Sequence, residues 1–386
     1  MKIGFDASPL VGDRGGVGWH TYYLLRGMLA AQPSLEFVAY IRPGSVPPEE
    51  TRRWSGADRL SWVTASKWSM RSRGSTDRLD LYHGTNFRMH TVGRYGGIVT
   101  IHDLWLERYP EYSPKLLGQK LSSYKTQRTA RRARKVVAVS KFSARELIEL
   151  FGLSAEQIVV IPNGVSEDFF RRHDAGAFMA LKQRIGLVSD QFLLFVGGAD
   201  PRKNHRLVLE AASLIRPHLE GRTLILVGSP THSFGSYEAT ARSYGLIDRV
   251  LCPGRLSQND LQLLYSYADL FLFPSLYEGF GMPVLEAMAC GAPVITSKTT
   301  ALGEVAGEAA LLVDPHNARE LAERMIEALE SQSLCAPLKG KGFAQPNPRP
   351  MFPNPPGLLR LEPYSEGLRD RIWWGSSSNA TARWAA

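Results

Sequence analysis

PSLYEGFGMPVLEAMACGAPVITS, residues 274–297, shows the architecture of this chain more plainly than any other segment. FLFPS (271–275), which leads into it, reads as a buried strand, and APVIT (292–296) reads as the next one. Between them Glu278 and Glu286 stand on either side of a Gly-Phe-Gly turn, and Pro283 sits where a helix would begin. Proline suits that position because its φ is already helical and its missing N–H is not needed there. A loop that rises from a strand into a helix aims free backbone N–H groups at whatever lies above it, which favours an anion such as phosphate. Carboxylates on both sides accept hydroxyl hydrogens, so the pattern suits a phosphate attached to sugars. In outline this is a sugar-nucleotide pocket.

Working outward, strand-like and helix-like segments alternate along the chain, which predicts parallel sheets with helices on both faces. KIGFD, LEFVAYI, LDLYH, GIVTIHD, KVVAVS and QIVVIPN read as strands of a first half. QFLLFVGG, TLILVGS, RVLCPG, DLFLFPS and APVITS read as strands of a second. Segments such as HTYYLLRGMLAA, HRLVLEAASLI and ARELAERMIEAL carry apolar residues at helical spacing. The expected fold class is α/β, with two Rossmann-like doubly wound domains facing across a cleft. The expected boundaries are 1–167 for the first domain and 168–330 for the second, joined near GVSEDFFRRHDAG. Residues 331–386 are proline-dense and without period, and are expected to be a poorly ordered tail.

The chain of 386 residues is long enough for two full cores. No run approaches the ~18 apolar residues needed to cross a bilayer, and the start MKIGFDASPL has no signal-peptide pattern. Cys252, Cys290 and Cys335 show neither metal nor redox spacing, as in a reduced cytoplasmic protein. The net charge of +9 calls for an anionic partner, and much of the excess lies in KTQRTARRARK, Lys125–Lys135. That segment reads either as a solvated helix face or as one that meets an anionic membrane. No nucleic-acid module is evident.

Several positions outside the opening segment carry chemistry. Gly15-Gly16-Val17-Gly18 follows the first strand, where small residues let backbone amides approach a ligand closely, or simply serve a tight turn. His102-Asp103 ends the strand IVTI, at the edge where this fold places functional side chains, and His83 and Asn86 follow LDLY. Arg202 and Lys203 follow Gly197-Gly198 and are expected to open the next helix, where cations reach a diphosphate. Glu304 reads as a local structural acid.

The glycine-rich turn at Gly15–Gly18, His102-Asp103-Leu104 and Glu278-x7-Glu286, in this order over about Lys2–Glu330, resemble the retaining glycosyltransferases of family 4, which have the two-domain GT-B fold. The resemblance implies a donor site made by Gly16, Gly18, Arg202, Lys203, Glu278, Gly279, Phe280, Gly281 and Glu286, with Glu286 on the ribose. It implies catalytic roles for His102, Lys203 and Glu278, with His102 near the donor sugar, and an acceptor side at His83 and Asn86. Backbone groups between Cys252 and Leu256 would meet the base. No metal and no cofactor are expected beyond the nucleotide sugar, GDP-mannose first and a UDP-hexose second. The acceptor would be a saccharide or a polyprenyl-linked saccharide in surface-polysaccharide synthesis, at the inner face of the cell membrane. Two features depart from the pattern. Gly198 stands where many relatives have an arginine, which leaves Lys203 the larger share of the phosphate charge. After Gln345 the similarity stops, so a change of reading frame is expected there, and a catalytically impaired nucleotide-sugar-binding protein is the competing reading.

Overall fold

A computed structural model describes residues 1–330 except 13, 114–115, 166–168, 171, 173 and 233–234. The expectations for the tail and for the change after Gln345 lie outside the described residues.

Two parallel sheets carry the fold. The first contains β1 (Lys2–Asp6), β2 (Glu36–Ile41), β3 (Leu60–Thr64), β4 (Leu81–Gly84), β5 (Gly97–Ile101), β6 (Lys135–Ala138) and β7 (Ile158–Val160), in the order β3-β2-β1-β4-β5-β6-β7. The second half begins with β8 (Phe192–Val196) and β9 (Thr223–Val227), then a small antiparallel hairpin of β10 (Thr231–His232) and β11 (Gly235–Ser236). It continues with β12 (Val250–Gly254), β13 (Leu270–Phe273), β14 (Val294–Ser297) and β15 (Leu311–Val313), and its sheet runs β12-β9-β8-β13-β14-β15. By packing, among the described residues, Met1–Thr100 with Arg132–Lys135 forms one compact unit, and Ile101–Arg131 with Val136–Glu330 forms another.

The strands foreseen from sequence are present. Those missed are β3, β15 and the β10–β11 hairpin. Both β3 and β15 are edge strands; β3 is only partly buried along its length and mixes polar with apolar residues, and β15 is only three residues long.

In the second sheet alternate residues supply two separate cores. Phe192, Leu194, Phe271 and Phe273 pack on one face, and Leu193, Phe195, Leu270 and Leu272 pack on the other. That two-sided burial explains why FLLFV and LFLF are apolar at every position. Strand order reverses between β8 and β13, and parallel sheets place their sites at the carboxyl ends of the strands at such a reversal. The candidate site is built there.

Phe271 lies inside this core, with ring centroids 5.2 Å from Tyr265 and 5.9 Å from Phe273. Phe271→Ala is expected to lower unfolding free energy by about 3–5 kcal/mol, measured by urea denaturation of the full chain.

Candidate active site

The loop after β13 and the turn after β8 meet at one ion pair. Lys203 Nζ lies 2.6 Å from Glu278 Oε1, and the Ser275 hydroxyl donates to the same carboxylate oxygen at 2.9 Å. Burial alone would push the Glu278 carboxyl up, but the Lys203 ammonium and the Arg202 guanidinium hold it below the usual carboxylate range. Arg202 in turn donates to Asp103 Oδ2 at 3.1 Å and lies 4.0 Å from Glu278 Oε2. The cluster thus alternates in sign.

Arg202 and Lys203 do not open a helix, as the sequence suggested. They occupy a short 3-10 turn, Pro201–Lys203, and the helix His205–Leu214 starts after Asn204. Asp200 caps that turn by accepting the Arg202 N–H. Asn204 adopts a left-handed φ of 61° and its side-chain amide donates to Pro274 O and Pro315 O. One residue thereby fixes the turn to two other loops. Gly197 leaves room for the lysine stem, since a Cβ there would lie 3.0 Å from Lys203 Cγ. Gly198 has φ +74°, a conformation that an arginine adopts poorly.

His102 and Asp103, just past β5, belong to the same compact unit as this cluster. The corner they form is held against the 277–279 segment by contacts the sequence did not disclose. The Tyr277 hydroxyl accepts the Leu104 N–H at 3.0 Å and donates to Glu146 Oε2 at 3.0 Å, while Arg108 pairs with Glu146 and Glu149. Ser140 and Ser143 hydroxyls donate to Gly279 O at 2.7 and 3.0 Å. Gly279 packs directly on the His102 carbonyl: a Cβ there would lie 1.8 Å from that oxygen. Glu304, read as structural, accepts the Lys141 and Phe142 N–H groups at a helix start.

Gly281 precedes the helix Met282–Ala289 with φ +109°, which sends the chain from loop to helix in a single residue. The Phe280 ring is buried in the core, leaving its backbone for any ligand. Glu286 lies within that helix and accepts from the Tyr265 hydroxyl at 3.3 Å. Burial pushes its carboxyl up to about 7, with that hydrogen bond working in the opposite direction.

Gly16, Gly18, His83 and Asn86 belong to the other compact unit. Gly16 and Gly18 lie in the first turn of the helix Gly16–Ala31, rather than in a loop before it. At Gly18 a Cβ would come within 2.7 Å of Pro9 O, so a close helix approach requires this glycine. His83 is buried, hydrogen-bonded through Nε2 to Thr100 Oγ1 at 2.9 Å, and stands edge-on to Phe5. Asn86 is exposed. Among the described residues no group of three His, Cys, Asp or Glu side chains is arranged to hold a metal ion.

Gly279→Ala would force the 277–279 segment off the His102 carbonyl by more than an ångström. A misplacement of that size costs on the order of 10²-fold in rate, so a comparable loss of turnover is expected with secondary structure retained by circular dichroism.

Comparison with known proteins places these features in context. The family described as Glycosyltransferase Family 4 matches residues 14–169, and Glycosyl transferases group 1 matches residues 180–344. O-antigen chain mannosyltransferase B of Escherichia coli is 33% identical, covering 89% of this chain and 95% of that protein. Among solved structures, sucrose-phosphate synthase from Thermosynechococcus elongatus superposes with a TM-score of 0.69 at 21% identity, over 89% of this chain and 93% of that one. WaaG, a glycosyltransferase involved in lipopolysaccharide biosynthesis, also gives 0.69 at 16% identity, over 91% and 96%. These two show a shared fold.

Proposed function

The chain belongs to glycosyltransferase family 4 and is a hexosyltransferase, and we propose that it is a retaining enzyme that moves mannose from GDP-mannose to a saccharide or polyprenyl-linked saccharide. The 33% identity to an O-antigen mannosyltransferase over nearly its whole length supports the choice of mannose and of surface-polysaccharide synthesis. A UDP-hexose is the second candidate donor. The observation that carries the mechanism is the Lys203–Glu278 pair at the mouth of the β8/β13 crevice.

In this reaction the acceptor hydroxyl oxygen forms a bond to the anomeric carbon as the bond from that carbon to the diphosphate oxygen breaks, on the same face. The hydroxyl proton passes to a phosphate oxygen of the departing diphosphate. Negative charge then grows on the leaving group, and Lys203, Arg202 and the amides at the start of the helix Met282–Ala289 stabilise it. The Lys203 ammonium has three donors, so one can remain on Glu278 while another meets phosphate. Glu278 and the backbone of Gly279–Gly281 take the sugar, Glu286 takes the ribose hydroxyls, and His102 stands near the reacting carbon. No cofactor is needed for these steps.

The basic helix Leu116–Arg132 suits an approach to a lipid-linked acceptor. Lys125, Arg128, Arg131 and Arg132 are exposed on it, beside exposed Leu121 and Tyr124. Each cation near an anionic bilayer contributes on the order of 1 kcal/mol. No helix among the described residues is long and apolar enough to cross a membrane.

Two measurements test the donor site. In a screen of GDP- and UDP-hexoses, Lys203→Ala is expected to lower turnover about 10²–10³-fold, as removal of a charge-stabilising donor does elsewhere. Unchanged turnover sinks the assignment. The second uses pH. Below about 7 the free enzyme keeps a proton on Glu286, and the neutral carboxyl accepts ribose hydroxyls less well than the carboxylate. Affinity for GDP-mannose, read by calorimetry, should therefore rise as pH increases through about 7, and Glu286→Gln should abolish that rise.

A further inference from the structure

Tyr277, Glu278 and Gly279 are consecutive, and each is held by a different partner. Tyr277 is held through its hydroxyl by Glu146, Glu278 through its carboxylate by Lys203 and Ser275, and Gly279 through its carbonyl by Ser140 and Ser143. Ser140 is the N-cap of the helix Lys141–Phe151, and Ser143 and Glu146 follow at intervals of three, which puts all three on one face. All three are buried. The helix that carries them is fixed in turn, since Ser140 accepts the Ser143 N–H and Glu304 accepts the Lys141 and Phe142 N–H groups. Two hydroxyls on one carbonyl also orient the peptide that follows. No described peptide is cis, and in a planar trans peptide the C=O and N–H point in opposite directions. With the Gly279 carbonyl turned to the serines, the Phe280 N–H faces away from their helix. The Glu278 carbonyl accepts the Ala301 N–H at 3.3 Å, which orients the Gly279 N–H by the same rule. Among the described residues neither N–H has an acceptor, although Phe280 is buried and buried N–H groups are rarely left unpaired.

We propose that Ser140 and Ser143 are positioning residues for recognition of the hexose: by holding the Gly279 carbonyl they present the Phe280 N–H to a hydroxyl of the donor sugar. That a sugar meets this segment rests on the transfer reaction above; the orientation of the peptide does not. Neither serine touches the donor. A site that gives a fixed hydrogen bond to a sugar hydroxyl discriminates against a ligand without that hydroxyl, because its own donor is then left unpaired. The nucleotide half of the ligand is held elsewhere, at Lys203, Arg202 and Glu286. Loss of the serine hydroxyls should therefore be felt by GDP-mannose and not by GDP.

Calorimetry on the full chain with GDP-mannose and with GDP tests this; UDP-glucose and UDP replace them if the donor screen selects uridine. Ser140→Ala/Ser143→Ala is expected to weaken GDP-mannose at least about tenfold and GDP by less than about twofold. Ser143→Ala alone leaves the helix cap in place and should show the same selectivity at about threefold, the share of one hydrogen bond. Hydrogen exchange at the Phe280 N–H is the second readout. GDP-mannose should slow it in the unmodified chain, GDP should not, and the double variant should lose that protection. The proposal is overturned if the double variant binds GDP-mannose normally, or if either variant weakens both ligands equally, which would be a general loss of the pocket. It is also overturned if GDP slows exchange at Phe280 as much as GDP-mannose does, which would assign that N–H to phosphate. Failure of the transfer reading shows separately, as an unmodified chain that binds GDP-mannose with Phe280 protected yet neither transfers nor hydrolyses the hexose.

Discussion

A lysine and a glutamate 2.6 Å apart in a mostly buried crevice form the constraint around which the second half of this protein is organised. Neither side chain would be stable there alone, because removing one partner of a buried pair leaves an uncompensated charge that costs about 3–5 kcal/mol. Ser275, Arg202, Asp103 and Asp200 complete the arrangement, drawn from three loops, with Arg202 and Asp200 sharing the turn after β8. The loops after β5, β8 and β13 are consequently tied to one electrostatic centre. In the reaction proposed above, the cations that would meet a diphosphate are held by this network, which limits the reorganisation left for the moment of reaction.

Much of this was legible in the chain itself. Glu278, Gly279, Gly281, Pro283 and Glu286 announce a strand–turn–helix passage because each answers a local backbone or hydrogen-bond demand. Central strands were readable for a related reason: burial on both faces leaves no polar position, as in LFLF. Strand β3 was not, since polar residues interrupt its half-buried run, and β15 was not, since three residues make too short a segment.

What sequence could not supply were contacts between residues distant along the chain. Tyr277 looks like one more aromatic beside a turn. Its hydroxyl nonetheless bridges Leu104 and Glu146, which lie 173 and 131 positions away. Ser140 caps its helix by accepting the Ser143 N–H, and its hydroxyl also donates to Gly279 O, a bond that depends on tertiary placement. His83, expected on the acceptor side, is buried against Thr100 and Phe5, a placement its position at a strand end does not reveal.

Asn204 has an implication for how this segment can change over generations. Because its amide is fastened to both Pro274 O and Pro315 O, the turn that carries Lys203 is suspended between two anchors a set distance from β8. Side chains on that turn can be exchanged one for another without disturbing the suspension. An added or deleted residue between Val196 and Asn204 cannot, since it would carry the ammonium away from its carboxylate as a rigid block. Drift in this stretch should accordingly proceed by replacement, with its length held constant.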